Sequence, residues 1–576
     1  MAVKHNCAFG VHLAKLVAVA RRDFAASGLV GASGLGGGCS WPLPFGTNGA
    51  FSGIFLEKCP TTPTLFERQQ QPDFLKMAQA ALQKPELEVV AERMENEEAK
   101  ISGSVKAVPG GYGLPFFGAM RDRLELYWFQ GDVEFFKRRI EKYKSTVFRT
   151  NFAPGPPGYQ NPRGVALLDH KSFQVMLDNS KVDKSDTFFG TAMPSVAFTG
   201  GYRALPYLDT TEEKHTLYKR LLIELLHMKF SSMVTEYSKA FAETSATWEL
   251  AVAKSGKAEV GDSSGSMVVN VLLKSITGHQ DPASIIGSDP HSTFQTWSFV
   301  QFAGTVVGVL PHFVEELTYH SFSLPSMLVK SKYAALCKFF RNYATEALDL
   351  AESKYGLDRE EAVHQLVFCF GVNARVGLMK KIPVMVYYIA KMGPEFQARL
   401  ANEVRSAISE QGGGGFNVKA LSGMPLLKST VLEAFRLMPS TFFVYARARE
   451  DIVVESHDAL YKVGKGELLG AHWYYVLRDP KVFEDPQRFN PERFMGKQGE
   501  ALFPQLVWSN GRQDQTPGEN DKQCPAKDYA VMLTSQFVAE MFLKYDAFEI
   551  TDDSTIDTTS LKVAFKSLKK RTQISS

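Results

Sequence analysis

Cysteine is scarce in this chain. The six in 576 residues (Cys7, Cys39, Cys59, Cys337, Cys369 and Cys524) are scattered, with no Cys-x-x-Cys pair and no metal-ligand spacing. A disulfide scaffold or a zinc-finger type of site is thereby excluded, and a reducing or neutral compartment is expected. Net charge is equally thin, at +3, with no basic face that would hold nucleic acid. The run Gly412–Gly415 lacks the Gly-Lys-Ser/Thr that follows in a phosphate loop, so it reads as a surface loop and not a nucleotide site. Acids are nearly missing from residues 1–56, where Asp23 stands alone against Lys4, Lys15, Arg21 and Arg22 amid much Ala and Gly. That composition predicts a disordered transit peptide over 1–60, directed to the chloroplast. Its apolar piece, Leu13–Ala20, is far shorter than the roughly 20 residues a membrane span needs, so no transmembrane anchor is expected there.

What is present is apolar: 44% of the chain is hydrophobic, ample for a large core. Residues 61–103, with the acidic stretch Glu86–Glu98, read as a linker or solvated helix. The Pro/Gly-rich stretch Val108–Gly118 then marks the start of a main domain assigned to 104–576. Asp122–Tyr143 is predicted as its first long helix. Phe148–Asn151 and Gly164–Asp169 alternate like strands. From Glu212 to about Ala390 apolar residues recur at spacings of three and four, which predicts helix almost throughout. A helix at Met424–Leu437, a hairpin from Ile452–Glu455 and Leu460–Val463, and a last helix at Tyr529–Tyr545 follow.

One late cysteine is a weak signal, because free cysteine is usually a small buried hydrophobe. Cys524 is stronger for its order: Glu433-x-x-Arg436 on a helix comes first, then Pro491-Glu-Arg-Phe494, then Trp508-Ser-Asn-Gly511, then Lys522-Gln-Cys524. Together these resemble the haem-thiolate core of a cytochrome P-450. The resemblance implies a mainly α fold with a small β region, haem b as cofactor and Cys524 as axial ligand to its iron. It also implies that Glu433 and Arg436, one turn apart on a helix face, are completed by Arg493 into a structural lock. The insertion Arg512–Lys522 between the glycine and the cysteine is similar to the plant hydroperoxide-metabolising branch: allene oxide synthases, hydroperoxide lyases and divinyl ether synthases.

The central helix points the same way by omission. Phe370–Gly377 holds no acid–alcohol pair of the kind that delivers protons to iron-bound dioxygen in a monooxygenase. A substrate that already carries a peroxide bond needs neither dioxygen nor a reductase partner. By the resemblance, Asn373 contacts the hydroperoxide and orients it. Arg375 and Val376 stand where the relatives have an aromatic residue and a glycine, a departure that bears on pocket shape.

The loop Lys184–Ser195 resembles that of allene oxide synthases, with Phe188 at the phenylalanine position. Breaking the O–O bond leaves an alkoxyl radical that cyclises to an epoxyallylic carbon radical. An aromatic face beside it favours oxidation to a cation, which the ring quadrupole stabilises. Proton loss then gives an allene oxide, whereas hydroxyl rebound gives a hemiacetal that falls into two aldehydes. Pro206 stands where synthases often have serine. The same alignment puts Lys184, His215, Lys219 and Lys522 on haem-contacting positions, with His215 and Lys219 four apart on one helix face.

The expected activity is dehydration of a C18 fatty acid 13-hydroperoxide to an allene oxide, with lyase, divinyl ether or epoxyalcohol chemistry as the alternatives. From other classes, a conventional monooxygenase and a non-catalytic haem-lipid binding protein remain. The expected partner is the fatty acid hydroperoxide alone, with peripheral association with plastid membranes.

Overall fold

The computed structural model describes residues 105–441, 443–558 and 560–572. The transit peptide expected over 1–60 and the acidic segment 61–103 lie outside the described residues.

The described part is mainly helical with a small β region, which is the cytochrome P450 fold class expected above. Two helices dominate its early core: α1 (Glu213–Ser255) and α2 (Gly261–Thr277), which pack on each other. The central helix runs as α3 (Arg359–Phe368), a widened π turn at Cys369–Ala374, α4 (Arg375–Met379) and α5 (Lys381–Lys391). The stretch Arg359–Lys391 is long and apolar enough to cross a membrane by composition, but 67% of its most apolar window is buried inside the protein. Its apolar character is that of a mostly buried core helix. At Gly371 an added Cβ would lie 2.4 Å from the Phe294 ring, so the π turn is packed against its neighbour as closely as glycine allows.

Later come α6 (Pro425–Leu437), starting on proline, and α7 (Lys527–Lys544), each within a few residues of its expected bounds. The first predicted helix is different. Asp122–Tyr143 is not continuous: Phe117–Leu124 passes into a π turn at Glu125–Phe129 and restarts as Gly131–Tyr143. Gly131 at φ +76° makes the break, and the Gln130 amide donates to the Glu125 carbonyl.

The main sheet has five strands: β1 (Val147–Asn151), β2 (Arg163–Leu167), β3 (Val182–Asp183), β4 (Phe443–Ala448) and β5 (Leu468–His472), in the order β1-β2-β5-β4-β3. β2 and β5 are parallel and the other pairs antiparallel. Ile452–Glu455 and Leu460–Val463 form the expected antiparallel hairpin.

Candidate active site

A single apolar chamber of about 700 Å³ lies where the central helix, β4, the loop before α7 and the segment Lys184–Pro206 face one another. Cys524, Asn373, Phe188, Lys184, His215, Lys219 and Lys522 all line it. Residues as much as 340 positions apart in sequence are thus brought to one cavity.

Cys524 sits on the return limb of the Arg512–Lys522 insertion, three residues before α7. The neck of that insertion is closed by bridges between Val507 and Arg512 and between Ser509 and Gln523, and the Trp508 amide donates to the Gly511 carbonyl at 2.6 Å. Its far end is pinned to α1 by ion pairs from Lys219 to Asp521 and from Arg220 to Glu519. The stretch leading to the cysteine is thus fixed at its neck and against α1. Burial raises the Cys524 thiol, while the Ala526 amide and Lys219 favour its thiolate.

Below this loop stands the ion-pair lock. Arg436 donates to both Glu433 oxygens at 2.7 and 2.8 Å, and both residues are fully buried. Arg493 reaches the same carboxylate at 3.1 Å and also binds the Glu484 carbonyl at 2.6 Å. Arg436 further donates to the carbonyls of Leu477 and Pro486. One carboxylate and two guanidiniums thus tie α6 to the irregular chain at 477–493, with the remaining donors satisfied by backbone, as a buried pair requires.

The four cations form one group. Lys184 donates to the Met176 carbonyl at 2.5 Å and to Asn510 at 2.8 Å, and Lys522 donates to the Leu208 carbonyl at 2.6 Å. Burial and then Lys522 hold Lys184 well below its ordinary range. Burial and then Lys219 bring Lys522 down to about 7. His215 is pushed down to about 3 by burial, then by Lys522 and Lys219, and its buried Nδ1 has no hydrogen-bond partner among the described residues. Such a cluster, repelling itself in a dry wall, fits an anionic guest. The orphaned Nε1 of Trp508, which packs edge-on to Phe435 at 5.1 Å, lies in the same wall. A haem fits this donor set: a soft sulfur for iron, aromatic and apolar walls for the macrocycle, and buried nitrogens for its carboxylates.

On the opposite wall, Asn373 lies in the π turn with its amide facing the chamber, and it takes no hydrogen-bond partner among the described residues. The neighbouring Cys369 is buried and also lines the chamber; burial and then Cys524 push its thiol up to about 12, so it stays protonated. Phe188 is half-buried, edge-on to Phe189 at 4.8 Å and 6.2 Å from Tyr207. Pro206 opens a 3-10 turn at Leu205–Tyr207, and its carbonyl accepts from Lys522 at 3.3 Å. The proline that replaces serine thus removes a hydroxyl from the wall but keeps a backbone acceptor for the lysine.

Arg375 turns away from the chamber. It is buried, donates to the Gly371 carbonyl at 2.8 Å and the Ser298 hydroxyl at 3.2 Å, and burial lowers it to about 10. Sequence reasoning passed over Lys380 and Lys381, which also line the chamber. The signal was there: two consecutive lysines interrupt a helical stretch that is otherwise apolar from Val376 to Val386.

A cytochrome P450 family profile matches residues 382–560. Among known proteins the chain is 59% identical over 476 residues to divinyl ether synthase CYP74M3 of Selaginella moellendorffii, covering 81% of this chain and 96% of that protein. It is 53% identical over 467 residues to divinyl ether synthase CYP74M1 of the same species, covering 81% and 98%. To the chloroplastic allene oxide synthase of Arabidopsis thaliana it is 41% identical over 468 residues, covering 81% and 89%.

Proposed function

Because this chain belongs to the plant-type hydroperoxide-metabolising branch of the cytochrome P450 family, as a haem-thiolate enzyme that converts hydroperoxides, we propose that it dehydrates a C18 fatty acid hydroperoxide to a divinyl ether. The observation that carries this choice is the gradient of likeness, 59% and 53% identity to two divinyl ether synthases against 41% to an allene oxide synthase. Allene oxide formation is the second reading, favoured by Phe188 in the chamber wall.

Both reactions have the same balance: the hydroperoxide loses one water and keeps its other oxygen, as an ether in one case and as an epoxide in the other. The bound haem supplies a thiolate-ligated iron at which the O–O bond is broken. The chain's own residues do the rest. Cys524 provides the sulfur, and Lys184, His215, Lys219 and Lys522 hold the haem carboxylates. The Asn373 amide orients the peroxide group. The apolar walls keep water from the radical, so the product is decided by its fate: proton loss with the three-membered ring intact gives the allene oxide, and opening of that ring's C–C bond before proton loss gives the divinyl ether. Barrier differences of about 1.4 kcal/mol decide between products by tenfold.

No reductase and no dioxygen take part, since the substrate carries its own oxidant. Chloroplast targeting is supported by the acid-poor composition of residues 1–56 and by the chloroplastic allene oxide synthases among its relatives.

Purified, haem-loaded protein given 13- and 9-hydroperoxides of linoleic and linolenic acids without NADPH tests this reading. Divinyl ether fatty acids are the expected products. Ketols from a decaying allene oxide would select the second reading. Short aldehydes with an oxo-acid would overturn both.

A further inference from the structure

The chamber has a second group of cations, electrostatically separate from the first. Lys184, His215 and Lys522 feel one another, Lys219 and the acids Asp209 and Asp521. Lys380 instead feels Arg375, and Lys381 feels Lys380. Among the described residues no carboxylate pairs with any of these last three. Lys381 is 3% exposed; its ammonium donates to the Met438 carbonyl at 2.5 Å and lies 4.2 Å over the Phe435 ring. Lys380 reaches only the Ser440 carbonyl, at 3.4 Å. Holding two adjacent ammonium groups in an apolar wall, one of them buried, is costly without an acid, and among the described residues only carbonyls and one ring face offset it. Both nevertheless line the chamber that Asn373 faces, on the same helix. Seven residues of helix separate Asn373 from Lys380, about 10 Å at the usual rise. Between them the wall is apolar, with Val376, Leu378, Phe443 and Val444. A long apolar cavity with an amide at one point and paired cations further along is complementary to an amphiphile with an anionic end.

We propose that Lys380 and Lys381 form the binding site for the carboxylate of the fatty acid substrate, so that the chain enters with its acid end toward the C-terminal part of the central helix. This rests on the reading of the substrate as a fatty acid hydroperoxide. Lys380 carries the ionic contact, and Lys381, already held by the Met438 carbonyl, adds charge behind it. Arg375, buried against Ser298, adds to the positive field without touching the ligand. Burial lowers Lys380, and it lowers Lys381 to about 7; an incoming carboxylate restores their charge.

The test is calorimetric titration of the haem-loaded enzyme with a non-reacting hydroxy fatty acid and with its methyl ester, which has the same shape and no charge. The wild type is expected to bind the acid at least tenfold more tightly than the ester. In Lys380→Met/Lys381→Met that ratio falls toward one while ester affinity holds. Lys381→Arg, which keeps the charge, retains the preference and guards against a variant that misfolds. An acid preference unchanged in the double variant overturns the proposal. So does a parallel loss of haem absorbance, which would assign the lysines to the haem carboxylates. Failure to form divinyl ether with the acid preference intact would strike only the product assignment. Divinyl ether formation with no effect of the lysines would strike only this inference.

Discussion

Glu433 and Arg436 sit one helical turn apart, both with no exposed side-chain surface, and are joined by two hydrogen bonds of 2.7 and 2.8 Å. Because Arg493 completes the carboxylate's contacts from outside the helix, a single acid holds two cations from separate parts of the chain. Glu433→Gln leaves a buried guanidinium without its counter-charge. The expected cost is about 3–5 kcal/mol, large enough to be read as loss of soluble, haem-loaded protein. Arg493→Lys, which keeps the charge at a position slightly nearer the surface whose bonds also reach backbone carbonyls, is expected to cost less. Thermal denaturation of the two variants checks the order.

Cys524→Ser removes the sulfur but not the fold, since the insertion's closing bridges and the ion pairs to α1 do not involve it. The variant is expected to be folded, to lose the thiolate signature of the haem spectrum and to have no hydroperoxide turnover. A fully active Cys524→Ser protein would remove it as the iron's ligand.

Asn373→Ala removes the one amide aimed into the chamber from the π turn. If it orients the peroxide, the rate constant for turnover falls about 10²-fold while binding of a hydroxy fatty acid changes little. Steady-state kinetics beside equilibrium binding separate the two effects.

Phe188→Leu keeps the wall apolar and takes away the ring face. If that face steers the radical toward a cation, the product ratio shifts toward aldehydes, and a barrier change of about 1.4 kcal/mol shifts it tenfold. An unchanged profile leaves Phe188 as packing against Phe189 and Tyr207.

Lys381 gives a pH dependence with a definite sign. Its folded value, about 7, lies below the ordinary 10.5, so between these limits the unfolded chain binds a proton that the folded one does not. This group's contribution therefore falls as pH drops from 10.5 toward 7 and is fully lost below it. Without ligand, Lys381→Met is expected to gain stability on the wild type, and to gain more at pH 7 than at pH 9, by as much as ~2 kcal/mol. Melting curves at both pH values measure the difference.

Local chemistry explains what was legible. The Glu-x-x-Arg spacing already puts two charges on one helix face, and the cysteine's motif lies within a few residues of α7, so neither needs long-range information. The main helices were readable because they bury a face at the helical period. The first helix was not readable as broken. One glycine at positive φ breaks the helix, and a single glycine in an amphipathic stretch does not announce its φ.

By itself, then, the sequence determined the helical class and the order of the motifs, and singled out Cys524 as the candidate ligand, because these depend on spacing along the chain. Only the tertiary structure decided which charges share a cavity. Lys184, Lys219 and Lys522 meet at one wall because α1 and the insertion fold onto each other. Lys380 and Lys381 face the same space without an acid because the helix that carries them is covered by apolar neighbours on its other sides. A lysine's sequence neighbours do not say whether a carboxylate will stand opposite it. Desolvation and pairing are set by distant segments, and they are what turn a charge on a helix into a binding site.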